Sequence, residues 1–209
     1  MPRTKLALLD YGIGNLRSVA KALNHVGADV DVIEGSIDRK RYTGIVLPGV
    51  GHFGACVNAL RQFGFDELVY RSVEDDVPLL GVCVGLQMLF EGSSESPETE
   101  GLGLLPGRVL RFDGQERVPQ MQWNTISIKD EFKDSRLFKG VADGRWMYFV
   151  HSYYAPVGDF TSSTSTYGVA FSATIEVGNL FATQFHPEKS SKEGLRLLEN
   201  FISISTIGN

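Results

Sequence analysis

The chain has 209 residues, 43% of them hydrophobic and 11% aromatic, which is enough for one large or two small folded domains and excludes a largely disordered protein. Its 20 basic and 25 acidic residues are interspersed and leave a formal charge of −5, so we expect no nucleic acid as a partner. The first residues lack the apolar core of a signal peptide, and no apolar run approaches the ~18 residues of a membrane span, so a soluble, cytoplasmic protein without a membrane partner is predicted.

The first half of the chain alternates short apolar runs with helical patterns, which is typical of a parallel sheet covered by helices. Strands are predicted at residues 6–10, 29–33, 44–47 and 77–82. Helices are predicted at residues 16–26, where Gly27 ends the pattern, at 53–60, at 66–73 and from residue 84 to 90.

The second half has a different pattern. Residues 91–100 are polar and without periodicity, so a loop is predicted there. Short β-like runs follow at 109–112, 125–128, 147–150, 169–175 and 179–183, and they indicate antiparallel additions to the sheet. Ser190 and Glu193 fit a capping box before a final helix. We therefore predict a single α/β domain over residues 1–209, with a mixed, mostly parallel sheet flanked by helices.

Cys83 stands where a buried strand runs directly into a helix. Gly81 and Gly85 lie two residues before and after it, and small residues at these positions allow the sharp turn of a nucleophile elbow. The N–H of Val84 is then placed where an oxyanion would form. Cys83 is one of only two cysteines, and we interpret both as thiols, with Cys56 contributing only to packing.

A cysteine nucleophile that attacks an amide needs a histidine, itself oriented by a third group, to protonate the leaving ammonia. Of the four histidines, His186 is followed two residues later by Glu188 at the end of a predicted strand. The period-two spacing puts both side chains on one side of an extended chain, and Pro187 prevents further strand pairing. His186 and Glu188 are therefore the predicted partners of Cys83.

A glycine-rich turn follows the strand at 44–47. Gly49 and Gly51 allow the backbone there to present N–H groups to a developing negative charge, as the second half of an oxyanion hole requires.

These three segments, taken in chain order, resemble those of the class I (triad) glutamine amidotransferases, which have a flavodoxin-like fold. Within that family the chain resembles most the glutaminase subunits of imidazole glycerol phosphate synthase. Val50, where most other class I glutaminases have glycine, favours this subfamily. Segments that carry the resemblance are DYGIGNLRS (10–18), LPGVG (47–51), WN (123–124), YFVHSY (148–153) and QFHPEKS (184–190).

The resemblance implies a glutaminase without metal or cofactor. Cys83 would attack the amide of glutamine and form a thioester, His186 would transfer the proton, and Glu188 would orient the imidazole. The resemblance places the oxyanion hole at Val50, Gly51 and Val84. It assigns the binding of glutamine to Gly51, Gln87, Glu95, Ser152 and Tyr153.

The resemblance also implies a heterodimer in histidine biosynthesis. Ammonia would pass to a (β/α)8-barrel synthase subunit, for which this chain has no room. The candidate interface residues are Asn15, Arg17, Trp123 and Lys189. The Val50 peptide is the expected switch of activity, since its N–H must point into the site to complete the hole.

One segment departs from the family pattern. Gln120 and Gln122 stand where the family more often has His and Gly, which puts the conformation of that loop in doubt. Three alternatives remain. The chain could serve another class I amidotransferase, it could be a silent regulatory subunit of the same fold, or it could be a cysteine-elbow hydrolase or chaperone.

Overall fold

An eight-stranded sheet forms the centre of the computed structural model, which describes residues 4–35, 38–114 and 116–207. The strands, in chain order, are β1 (Lys5–Leu9), β2 (Asp29–Ile33), β3 (Gly44–Leu47), β4 (Leu79–Val82), β5 (Phe90–Ser93), β6 (Ser96–Glu100), β7 (Leu105–Arg111), β8 (Gln120–Thr125), β9 (Ser127–Ile128), β10 (Trp146–His151), β11 (Tyr153–Tyr154), β12 (Thr161–Tyr167), β13 (Val169–Val177) and β14 (Leu180–Thr183). The α-helices are α1 (Leu16–His25), α2 (Phe53–Gln62), α3 (Phe65–Glu74), α4 (Val84–Met88) and α5 (Ser191–Ile207).

The central sheet has the order β2-β1-β3-β4-β14-β13-β12-β9. Its first five strands are parallel, and β13, β12 and β9 follow, each antiparallel to the strand before it in this order. Every residue of β3, β4 and β14 is buried, as expected for strands covered on both faces. The predicted α/β domain with a mixed, mostly parallel sheet is therefore confirmed.

Most helices of the first half begin and end where the sequence predicts. The helix α1 ends shortly before Gly27, whose φ of 105° lies in the region that favours glycine. Gly64, with a φ of 70°, separates α2 from α3. None of the helices in the described part of the chain has the length and apolar character needed to cross a membrane.

The prediction for residues 84–100 is wrong in two respects. The helix after Cys83 ends at Met88 instead of continuing to Phe90, and the predicted loop at 91–100 contains the antiparallel pair β5 and β6. The strand β5 also pairs with β7, so tertiary pairing imposes the strand conformation. The strand β6 pairs only with β5 in its sheet and is largely exposed, which explains its polar sequence.

Two smaller sheets complete the second half of the chain. The strands β11, β7, β5 and β6 form one, and β8 and β10 form an antiparallel two-stranded ribbon. The predicted capping box at Ser190 is wrong. The Ser190 hydroxyl donates to the carbonyl of His186 at 2.7 Å and accepts the amide of Tyr148 at 3.0 Å, so it holds the strand end against β10 instead of capping α5.

Candidate active site

A cavity of about 270 Å³ opens at the carboxyl ends of three neighbouring parallel strands, β3, β4 and β14. Sequence-distant residues meet there because the carboxyl ends of parallel strands lie at one edge of the sheet. The lining residues are Val50, Gly51, Cys83, Val84, Gln87, Glu95, Pro119, Val150, His151, Ser152, Tyr153 and His186. All predicted catalytic, oxyanion-hole and glutamine-binding residues thus line one cavity, except Glu188, which lies behind His186.

Cys83 has the backbone conformation of a sharp elbow, with φ 57° and ψ −110°. Its amide donates to the carbonyl of Thr183 at 2.8 Å, which fixes the turn against β14. A Cβ on Gly85 would lie 2.1 Å from the carbonyl oxygen of Leu47, and one on Gly81 would lie 3.0 Å from that of Gly85. Close backbone approach therefore requires glycine at position 85 and favours it at position 81.

The Cys83 side chain is buried at the floor of the cavity. Its Sγ lies 3.9 Å from the carbonyl oxygen of Val150 and 4.0 Å from Nε2 of Gln184. Gln184 is fully buried, and its Oε1 accepts a hydrogen bond from Gln87 at 3.1 Å. The nucleophile candidate is thus enclosed by polar groups that are themselves fixed.

His186 and Glu188 form the predicted pair, with 2.9 Å between Nδ1 and Oε1. Both side chains are almost completely buried. Burial by itself lowers the pKa of His186, but the contacts with Cys83 and Glu188 outweigh it and raise that pKa to about 10. His186 Nε2 has no hydrogen-bond partner among the described residues.

The turn after β3, residues 48–51, is called the oxyanion turn below. The Val84 amide does not point freely into the cavity, because it donates to the carbonyl of Gly49 at 3.2 Å. A Cβ on Gly49 would lie 2.7 Å from the Gly85 amide nitrogen, so only glycine allows this approach. Gly51 has a φ of 90°. The sequence predicts that the Val84 amide binds the oxyanion. In this structure that amide is instead hydrogen-bonded to the carbonyl of Gly49.

Two of the predicted glutamine-binding side chains are held by the protein itself. The carboxylate of Glu95, in the turn between β5 and β6, accepts the amide of Phe53 at 2.7 Å at the start of α2. The Nε2 of Gln87 donates to the carbonyl of Tyr153 at 2.9 Å and to Gln184. Both Nε2 protons of Gln87 are used in this way, so its Oε1 is the atom available to a ligand.

His151 also lines this cavity and is not among the site residues predicted from the sequence. Its Nδ1 donates to the carbonyl of Tyr153 at 2.8 Å, which leaves Nε2 unprotonated, buried and without a partner in the described residues. Burial lowers the pKa of His151 to about 4. The motif YFVHSY contains this residue, and its position at a strand end beside Ser152 and Tyr153 is the signal that could have identified it.

The four predicted interface residues are all exposed. Asn15 and Arg17 lie at the start of α1, after the carboxyl end of β1, and Lys189 follows Glu188 after β14. Trp123 lies on β8 and is 44% exposed. Asn15, Arg17 and Lys189 thus lie in segments that follow the carboxyl ends of parallel strands, at the edge of the sheet where the cavity opens. Trp123 lies apart from them, in the β8–β10 ribbon.

The two glutamines that depart from the family pattern lie in a regular strand. Gln122 is exposed and pairs with Phe149 across the ribbon. Gln120 pairs with His151 and is fully buried, with both amide atoms lacking hydrogen bonds among the described residues.

Known proteins that are similar to this chain belong to the family that the sequence motifs resemble. The family model "Glutamine amidotransferase class-I" matches residues 7–204. The chain is 44% identical over 198 residues to the "imidazole glycerol phosphate synthase subunit HisH" of Desulfitobacterium hafniense strain Y51, covering 94% of this chain and 92% of that one. It is 45% identical over 200 residues to the protein of the same name from Methanothermobacter thermautotrophicus, covering 95% and 98%.

Solved structures share the fold at lower identity. The chain resembles the structure described as PurLQS from Thermotoga maritima with a TM-score of 0.77 and 17% identity, covering 97% of this chain and 99% of that one. A crystal structure described as glutamine amidotransferase gives a TM-score of 0.74 and 20% identity, covering 96% and 98%.

Proposed function

Because the chain belongs to the class I glutamine amidotransferase family, we propose that it hydrolyses glutamine as the glutaminase subunit of an imidazole glycerol phosphate synthase. The observation that carries this proposal is the meeting in one cavity of Cys83, at a strained elbow, with His186, which is paired with buried Glu188 behind it. A silent regulatory subunit would have no need for this arrangement.

The chemistry follows from these three side chains. Cys83 Sγ attacks the carboxamide carbon of glutamine, and His186 gives a proton to the nitrogen as the C–N bond breaks and ammonia leaves. A water molecule then loses a proton to His186 and attacks the thioester, the C–S bond breaks, and glutamate is released. Glu188 keeps the imidazole oriented and stabilises its charged form.

The tetrahedral intermediates need donors for their oxyanion, and Val84 is one candidate. Its amide is occupied by Gly49, so turnover requires the oxyanion turn to release that carbonyl and to direct the Val50 amide inward. This need supports the proposal that the isolated chain is weakly active and that its partner stimulates it.

The proposed partner is a (β/α)8-barrel synthase subunit that receives ammonia at the cavity edge. Transfer without contact with water is required because free ammonia is protonated at neutral pH and loses its nucleophilicity. The relatives named as synthase subunits support a partner of this kind. Asn15, Arg17, Trp123 and Lys189 are the proposed contact residues.

The test is glutamate release from glutamine by the purified chain, alone and with a cognate barrel synthase and its ribonucleotide ligand. We expect strong stimulation by the liganded partner, complete loss in Cys83→Ala, and a fall of about 10²- to 10⁴-fold in Glu188→Gln. Glu199→Gln, on the exposed side of α5, is the matched carboxylate control and should retain activity.

Two results would contradict this proposal. Steady activity without stimulation by that synthase would indicate another class I amidotransferase. No glutamate release under any condition would indicate a regulatory subunit.

A further inference from the structure

Three consecutive carbonyl groups of the oxyanion turn each accept a hydrogen bond from a different element. The Tyr11 hydroxyl, after β1, donates to the carbonyl of Pro48. The Val84 amide donates to Gly49 at 3.2 Å, and the Cys56 thiol, in α2, lies 3.4 Å from the carbonyl oxygen of Val50. Of these three donor residues, Val84 is the one that lines the cavity.

The two side-chain donors lie behind the turn. Tyr11 is 1% exposed and Cys56 is 0% exposed, and neither is among the described residues that line the cavity. Burial raises the pKa of Cys56 to about 11, and burial together with the neighbouring Cys56 raises the pKa of Tyr11 well above its usual value. Both groups therefore stay protonated at neutral pH and remain donors.

The Gly49–Val50 peptide lies between these two held carbonyls. Reorienting this one peptide plane would move the Gly49 oxygen away from the Val84 amide and would turn the Val50 N–H towards the opposite side. The carbonyls of Pro48 and Val50 can keep their partners during this change. Since Gly49 has no Cβ, its backbone can take conformations closed to other residues.

We propose that Tyr11 and Cys56 are positioning residues that fix the carbonyls of Pro48 and Val50 and so restrict formation of the oxyanion hole to the Gly49–Val50 peptide. Preorganised donors stabilise a developing charge best because they need no reorganisation during the reaction. The inference rests on the proposed function, since it assigns this turn a role in glutamine hydrolysis.

The test compares Tyr11→Phe, Cys56→Ala and Cys56→Ser with the wild-type chain in the stimulated complex. Loss of one hydrogen bond should lower kcat about three- to tenfold in Tyr11→Phe and Cys56→Ala. The KM for glutamine should change less than about twofold, because the glutamine-binding side chains are untouched. Cys56→Ser keeps a donor and should restore most of kcat.

Alkylation of Cys83 by iodoacetamide, followed by peptide mass, is the control reaction, since it forms no oxyanion. Its rate should equal that of the wild type in all three variants. A parallel loss of alkylation and turnover would show that the substitutions disturb Cys83 itself, and an unchanged kcat would show that the two donors do not matter. Either result would overturn the inference.

Hydrogen exchange at the Val84 amide tests the same inference without substrate or partner. We expect exchange at least severalfold faster in Tyr11→Phe and Cys56→Ala than in the wild type or Cys56→Ser, because the whole turn, no longer held at Pro48 or Val50, then moves away from Val84 without placing the Val50 amide for the oxyanion. Unchanged exchange would overturn the inference. If the wild type released no glutamate, the proposed function would fail, and this exchange measurement would still decide the role of Tyr11 and Cys56.

Discussion

The two histidines of the cavity differ in their electrostatic environment. The carboxylate of Glu188 and the nearby Cys83 raise the pKa of His186 above its usual value in spite of burial. His151 lies among the rings of Phe112, Phe149 and Phe171, and burial lowers its pKa to about 4. At neutral pH the charged form is therefore favoured only at His186, where the proposed proton transfer takes place.

Burial of neutral His151 makes stability depend on pH. An unfolded histidine titrates near 6.5, so between about pH 6.5 and pH 4 the unfolded chain binds a proton that folded His151 does not bind. Stability from this residue is therefore lost as the pH falls. We expect the unfolding free energy to drop by about 2 kcal/mol more between pH 7.5 and pH 5 in the wild type than in His151→Asn.

Urea unfolding at the two pH values measures this difference. His25→Asn is the matched control, because His25 is exposed at the end of α1 and should leave the pH dependence unchanged. An equal pH dependence in the wild type and His151→Asn would show that His151 is not held in the neutral form.

At the scale of elements, the position of Cys83 depends on how closely α4 approaches the end of β3. Gly85→Ala would place a Cβ 2.1 Å from the Leu47 carbonyl oxygen, so the helix and the strand would have to separate. We expect a loss of about 3 kcal/mol or more in the unfolding free energy, or no folded protein. Chemical denaturation measures the loss.

Gly35→Ala is the comparison for this substitution. A Cβ at Gly35 would meet no atom of the described residues within 4 Å, so the effect of this substitution should be within about 1 kcal/mol. A Gly85→Ala variant as stable as Gly35→Ala would contradict the close approach of α4 and β3.

The parallel core was predictable because its central strands, such as β3 and β4, are apolar throughout and its helices, such as α1, have clear periodicity. The strands β6 and β12 were not, because the first is polar and the second is rich in Ser and Thr. The cavity residues that follow β3, β4 and β14 could be selected from motifs. Tyr11 and Gln184 could not be selected, since their contacts arise only from tertiary packing.

At the scale of the whole molecule, the β8–β10 ribbon extends from the cavity to an exposed apolar face. Met121 pairs with Val150 of the cavity, Trp123 pairs with Tyr148, and Trp146 lies at the other end. Met121 and Trp146 are 63% and 58% exposed. An apolar patch of this kind beside a cavity is typical of an interaction surface.

If the proposed barrel synthase binds at this ribbon, Trp123→Ala should weaken its binding by about 2 kcal/mol, or roughly 30-fold in Kd, because aromatic residues near the centre of an interface contribute most to affinity. Trp146→Ala should raise this Kd less than tenfold, since Trp146 lies on β10 four residues, or about 13 Å, from Val150 at the cavity. Isothermal titration with the synthase measures both. Wild-type affinity in Trp123→Ala would exclude the ribbon from the interface.

The elbow at Cys83 also has a consequence for the trade-off between stability and activity. Glycine usually destabilises a folded chain by about 0.5–1 kcal/mol relative to alanine, but a φ of 57° with a ψ of −110° is readily adopted only by glycine. Cys83→Gly should therefore have a higher Tm than Cys83→Ala. A higher Tm in Cys83→Ala would contradict backbone strain at this residue. Random mutagenesis selected for heat resistance alone should thus favour glycine over alanine at this position, and both lack the thiol that we propose performs the chemistry.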